Sequence, residues 1–131
     1  MARIIYVEDD DIAGELVRDV LTQAGHLVGV IHDGTLAYET IVFKKPDLVI
    51  LDRSLPGMQG LDILRRLRRM AGSYLTPILM LTGRRDAALA DEAIEAGADD
   101  YLIKPFDPAD LVRRVEVALA AKSFATGRKV R

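Results

Sequence analysis

Cysteine is absent from these 131 residues, which removes disulfides, thiolate metal sites and cysteine nucleophiles and fits a reducing compartment. The cytoplasm is the expected location. Charge of one sign is also lacking: 18 Lys and Arg stand against 20 Asp and Glu, and a net charge of -2 exerts no global pull on nucleic acid or anionic membrane. Function has to arise from local arrangement. No apolar run approaches the roughly 18 residues of a membrane span. Met1-Ala2-Arg3 runs straight into a strand-like segment, so neither signal peptide nor anchor is visible. Internal repeats and low-complexity tracts are missing too. The length fits one domain with a single sizeable core.

What is present is alternation. Short apolar runs recur at Ile4-Val7, Leu27-Ile31, Leu48-Leu51, Ile78-Leu81 and Tyr101-Ile103, each short enough for a strand buried on both faces. Helix-length segments separate and follow them, about Asp11-Ala24, Thr35-Lys44, Leu61-Met70, Ala87-Ala96 and Pro108-Lys122, with apolar residues three and four apart. Gly25, Gly72 and Gly97 follow the first, third and fourth helices, where a left-handed residue is usual. Asp10 or Asp11 can cap the first helix, and Asp107 the last, with Pro108 at its first position. The pattern predicts an α/β domain, a doubly wound parallel sheet of five strands with five helices, over residues 1-122. A basic, flexible tail is expected over 123-131.

In an open parallel sheet ligands bind at the carboxyl ends of the strands, near the point where strand order reverses. Here the first strand ends in Glu8-Asp9-Asp10, the third in Asp52, the fourth in Thr82-Gly83 and the fifth in Lys104-Pro105. Each has a plain structural use as a cap, a turn residue or a solvated strand end. As a set they have no evident structural purpose. Glu8, Asp9 and Asp52 repel one another unless a cation sits among them, and hard oxygen ligands in an incomplete protein cage suit Mg²⁺. A carboxylate can attack phosphorus to give an acyl phosphate. Lys104 and the Thr82 hydroxyl then have phosphoryl oxygens to meet as charge spreads over them.

At this point the residues resemble the receiver domain of bacterial two-component response regulators, a flavodoxin-like fold. The resemblance covers roughly residues 2-121 and rests on "RIIYVEDDD", "PDLVILDRSLPGMQG", "TPILMLTGR" and "EAGADDYLIKPFDP". The last segment is most similar to receivers of winged-helix transcription factors. The resemblance implies phosphorelay signalling: Asp52 as phosphoacceptor, charged by a histidine kinase or histidine phosphotransfer protein. It implies Mg²⁺ held by Asp9, by Glu8 through water, by Asp52 and by the backbone carbonyl of Ser54. Thr82 and Lys104 would contact the phosphoryl group, and Lys104-Pro105 would be a cis peptide. Thr82 and Tyr101 would switch together, changing the surface of the fourth helix, fifth strand and fifth helix. Ser54 and Arg84 would tune phosphoryl lifetime.

Three departures stand out. Arg53 occupies a position that is apolar in many relatives, and its guanidinium has both solvent and neighbouring acids open to it. Asp100, Asp110 and Arg114 match the subfamily's dimer pattern, but Ala90 replaces the expected base on the fourth helix, so dimerisation is in doubt. The basic groups Arg65-Arg66 with Arg68-Arg69, Arg84-Arg85, and Arg128-Lys129 with Arg131 invite a nucleic-acid reading. Leu61, Leu64 and Leu67 face one way, however, which leaves the third helix's arginines as a solvated side, and no reading helix is present. Direct DNA binding by this domain is not expected. His26 and His32 have no acids at ligand spacing and read as structural.

The expected protein is therefore a signalling switch and not an enzyme. A phosphohydrolase with an aspartyl nucleophile usually carries an acid two residues later, where Ser54 stands; Glu8-Asp9-Asp10 would repel the phosphate of a flavin. A degenerate receiver is disfavoured because all five site positions are intact. The sequence favours a receiver that works alone with an unknown output protein, the alternative being one excised from a DNA-binding regulator.

Overall fold

Strand and helix alternate along the chain: β1 (Arg3–Val7), α1 (Asp11–Gln23), β2 (Leu27–Ile31), α2 (Gly34–Lys44), β3 (Leu48–Leu51), α3 (Gly60–Arg69), β4 (Ile78–Thr82), α4 (Ala87–Glu95), β5 (Asp100–Ile103) and α5 (Pro108–Ala125). The computed structural model describes the backbone of residues 1–125 and the side chains of residues 1–122. Helix α5 thus runs past Lys122. The rest of the expected tail, with Arg128, Lys129 and Arg131, lies outside the described residues.

All five strands join one sheet in the order β2-β1-β3-β4-β5, and every pairing is parallel. The chain steps outward from β1 to β2, then back across β1 to β3, so the order reverses between β1 and β3. Alternate residues of the inner strands point to opposite faces. Ile5, Val7, Val49, Leu51, Ile78 and Met80 pack with Ile41 of α2, Ile63, Leu64 and Leu67 of α3, and Ala93 of α4. Ile4, Tyr6, Leu48, Ile50, Leu79 and Leu81 pack with Val17 and Leu21 of α1, and with Leu111 and Val115 of α5. The expected doubly wound sandwich is observed.

Two expectations need correction. β2 and β5 are not buried on both faces; they are the sheet's edges, and β2 contains no fully buried residue. An unbroken apolar run does not reveal whether a strand has one neighbour or two. Gly25 and Gly97 adopt the left-handed backbone expected after their helices, but Gly72 does not; α3 instead leaves through Met70 in an extended conformation. Among the described residues, the left-handed position that is not a glycine is Lys45, just after α2.

Helix starts obey local chemistry more closely. Asp10, Asp33 and Asp86 each accept a backbone N–H from the first turn of α1, α2 and α4, and Asp107 accepts that of Ala109 at 3.2 Å. Each such cap contributes about 1 kcal/mol.

The arginines of α3 do not all form a solvated side. Arg68 folds under the sheet's amino-terminal end, donating to the carbonyls of Thr76 at 2.6 Å and Gly97 at 2.9 Å and to the Asp99 carboxylate at 3.0 Å. Asp99 in turn accepts the Ile78 N–H at 2.8 Å. Burial pulls the Arg68 guanidinium below its ordinary range, with Asp99 opposing the shift. Both histidines find acids that sequence spacing does not show. His26 accepts the Ala2 N–H and lies 2.7 Å from the Glu116 carboxylate, while His32 donates through Nδ1 to the Glu8 carbonyl and faces Asp11 at 3.4 Å.

Candidate functional site

The site is built by register. Val7 pairs with Leu51, Leu51 with Met80, and Thr82 with Ile103, so the chain leaves β1, β3, β4 and β5 along one rim. Backbone bonds carry the ladder past the strands: the Asp52 N–H donates to Val7 at 3.0 Å, and the Lys104 N–H to Thr82 at 2.9 Å. Glu8, Asp52, Thr82 and Lys104 are thereby fixed at the ends of neighbouring strands.

Lys104 ties them together. Its ammonium donates to Asp52 Oδ2 at 3.0 Å and to Glu8 Oε1. Asp52 Oδ1 accepts the Ser54 N–H at 3.3 Å, and Asp52 is only 8% exposed. Asp9 is exposed beside them, and oxygens of Glu8, Asp9 and Asp52 lie within 4.8 Å of one another. Two buried carboxylates and one solvent-facing carboxylate form an open set of hard donors, which fits a small divalent cation that keeps waters.

Burial pushes the Glu8 carboxyl above its ordinary range, with the hydrogen bonds from Lys104 and Tyr6 pulling it back. Burial also works against the Lys104 charge, but the bonds to Glu8 and Asp52 win and hold the ammonium above its usual value. Tyr6 is a residue the sequence reading passed over. Its hydroxyl donates to Glu8 Oε1 at 2.7 Å, and burial first, then Glu8, pushes its phenol up. The signal was available: a tyrosine two residues before Glu8 shares its face of the strand.

The loops close the rim. Gly57 takes the left-handed backbone of the turn after Pro56, and at Gly60 a side chain would run into the Asp52 carbonyl. That close approach seats the start of α3 against the aspartate. Thr82 Oγ1 accepts the Arg84 N–H at 3.3 Å, and the Arg84 guanidinium donates to Ser54 Oγ at 3.3 Å. Ser54 and Arg84, singled out separately, therefore touch. Tyr101 donates to the Arg84 carbonyl at 3.0 Å, which places it at the rim near Thr82. Lys104-Pro105 is cis.

Arg53 is the residue whose placement the sequence left open. It turns away from solvent onto α4, donating to the Leu89 carbonyl at 3.0 Å and pairing with Glu92. Asp100 and Asp110, by contrast, are both engaged within the chain by Arg114, at 2.7 and 2.9 Å.

The model of the response regulator receiver domain matches residues 4–116. The chain belongs to the response regulator receiver family. It is 44% identical over 117 residues to the DNA-binding response regulator MtrA of Mycolicibacterium paratuberculosis, an alignment that covers 89% of this chain and 51% of that one. It is 42% identical to the transcriptional activator protein IrlR of Burkholderia pseudomallei, covering 89% of this chain and 50% of that one. The chain thus spans about half the length of the curated relatives it matches. Among solved structures, the receiver superposes on the BeF3-activated N-terminal receiver domain of RstA from Klebsiella pneumoniae with a TM-score of 0.82. The two are 37% identical over 89% of this chain and 97% of that one. The chemotaxis response regulator CheY4 of Vibrio cholerae gives 0.84 at 30% identity, over 90% of this chain and 98% of that one. Among the described residues no helix is long and apolar enough to cross a membrane.

Proposed function

We propose that this receiver is a cytoplasmic phosphorylation switch in which Asp52 accepts a phosphoryl group in a Mg²⁺-dependent reaction. The observation that carries the reading is the joint hold of Lys104 on Asp52 and Glu8, with the Asp9 carboxylate within reach of both. An Asp52 oxygen attacks phosphorus as the bond to a phosphohistidine nitrogen breaks; the imidazole departs and an acyl phosphate remains. The donor is a histidine kinase or a histidine phosphotransfer protein.

Asp9, Asp52 and the Ser54 carbonyl are the proposed Mg²⁺ ligands, with Glu8 acting through water. A cation held by these residues would offset negative charge on the carboxylate and phosphoryl oxygens. Lys104 keeps its proton and moves from a carboxylate to a phosphoryl oxygen without leaving the rim. Thr82, 1% exposed, offers its hydroxyl to another. Tyr101 follows Thr82, and the α4-β5-α5 surface changes as a shift between populations. Relatives of about twice this length support a receiver joined to a DNA-binding output, alongside the reading in which it acts alone on a separate target.

The test is incubation with Mg²⁺ and acetyl phosphate followed by intact mass. The expected result is a phosphoryl adduct on the wild type that disappears in Asp52→Asn and in Asp9→Ala and persists in part in Lys104→Ala. No adduct on the wild type, or an undiminished one in Asp52→Asn, overturns the reading.

A further inference from the structure

Helix α4 has little apolar hold on the body of the protein, since Ala93 is its single fully buried residue. Its position depends on hydrogen bonds from elsewhere. Behind its carboxyl end, Arg68 fixes the Gly97 carbonyl at 2.9 Å. Along its middle, Arg53 bonds the Leu89 carbonyl and the Glu92 carboxylate. Arg65 of α3 approaches the other Glu92 oxygen at 3.6 Å.

Arg53 follows Asp52 directly, and its backbone is tied into the rim. The Arg53 carbonyl accepts the Gly60 N–H at 3.1 Å, and Asp52 is bonded to β1. One end of the side chain is therefore anchored beside the candidate phosphoacceptor and the other on α4, the helix with a single fully buried residue. The guanidinium side chain is 12% exposed, so its contacts are only partly screened by water.

We propose that Arg53 is a positioning residue that latches α4 to the rim, and that a phosphoryl group on Asp52 draws its guanidinium off Glu92 and frees the amino-terminal half of that helix. This rests on the reading of Asp52 as phosphoacceptor. The competition favours release. Conversion of the Asp52 carboxylate to an acyl phosphate raises the charge on the adjacent residue from one to about two, whereas Glu92 carries one, is 43% exposed and is shared with Arg65. The pin at Gly97 stays in place, so α4 swings about its carboxyl end.

The test is amide hydrogen exchange across residues 87–95 in the full chain, with and without Mg²⁺ and acetyl phosphate, and with labelling read by intact mass in the same samples. In the wild type, phosphorylation speeds α4 exchange several-fold while α3 is unchanged. Unphosphorylated Arg53→Ala already exchanges at about that faster rate and responds little to labelling. Glu92→Gln lies between, because the Leu89 bond survives. Labelled Arg53→Ala with wild-type α4 exchange in both states overturns the latch. Failure of the wild type to label overturns the phosphoacceptor reading instead. The latch is then decided by the unphosphorylated samples: faster α4 exchange in Arg53→Ala but not in the control Arg66→Ala supports it, and equal rates in all three sink it.

Discussion

Helices α3 and α4 pack on the same face of the sheet by different means. α3 buries Leu61, Ile63, Leu64 and Leu67, whereas in α4 Ala93 is buried and Leu89 and Ala90 are half-buried. The first is placed by area removed from water, a force that is non-directional and indifferent to nearby charge. The second is placed by two guanidinium groups, Arg53 and Arg68, whose hold changes whenever local charge changes. A domain that must keep its core while moving a surface needs one helix of each kind.

The largest expected break is at α3. Leu64→Ala removes a fully buried side chain and is expected to cost about 2–5 kcal/mol, read from the denaturant midpoint. A loss within ±0.5 kcal/mol, the ordinary range of surface substitutions, would remove the contrast between the helices. Next comes the pin behind α4: Arg68→Ala strands the Thr76 and Gly97 carbonyls and Asp99, at a cost of about 2–3 kcal/mol. Ala93→Gly tests what apolar hold α4 has and should lower stability by about 1 kcal/mol, with urea unfolding as the measurement.

Ser54→Met and Arg84→Ala should leave stability nearly unchanged and act on phosphoryl lifetime, since their side chains meet at the mouth of the site. We expect altered dephosphorylation with similar Mg²⁺ affinity, and lifetimes equal to wild type in both variants would refute this. The smallest effect lies outside both helices. Hydrogen bonding from Arg113, aided by Arg114, holds the half-exposed Asp110 carboxyl below its ordinary value. A lowered carboxyl stabilises the fold above its unfolded value and loses that contribution as pH falls through the folded one. Asp110→Asn should therefore flatten the acid limb of the stability curve slightly, and an identical limb would show the pair to be inert.

The sequence was legible wherever the signal was local. Periodicity located ten elements within a residue or two at most ends, because buried strands and amphipathic helices must repeat at their own pitch. The rim of Glu8, Asp9, Asp52, Thr82 and Lys104 was legible because parallel strands deliver their ends to one edge. Pairings between distant polar residues were not. Arg53 reaches Glu92 across 39 positions and His26 reaches Glu116 across 90, and nothing in either neighbourhood marks its partner. Arg68 was misjudged by grouping it with its neighbours: it follows Leu61 by seven residues and Leu64 by four, which puts it on the apolar face of α3, and the fold supplies the carbonyls that receive it there. Edge status of β2 was hidden because strand order is a property of the crossovers, not of the strand.

Lys104 has one more consequence. It comes from the edge strand β5, passes the end of β4, and neutralises carboxylates on β3 and β1. It is a counter-ion carried by the chain itself, at a local concentration that dilution and chelation cannot change. Assembly of the rim and affinity for a cation are therefore separable quantities. Whatever group arrives at Asp52 meets an ammonium already seated and must share it.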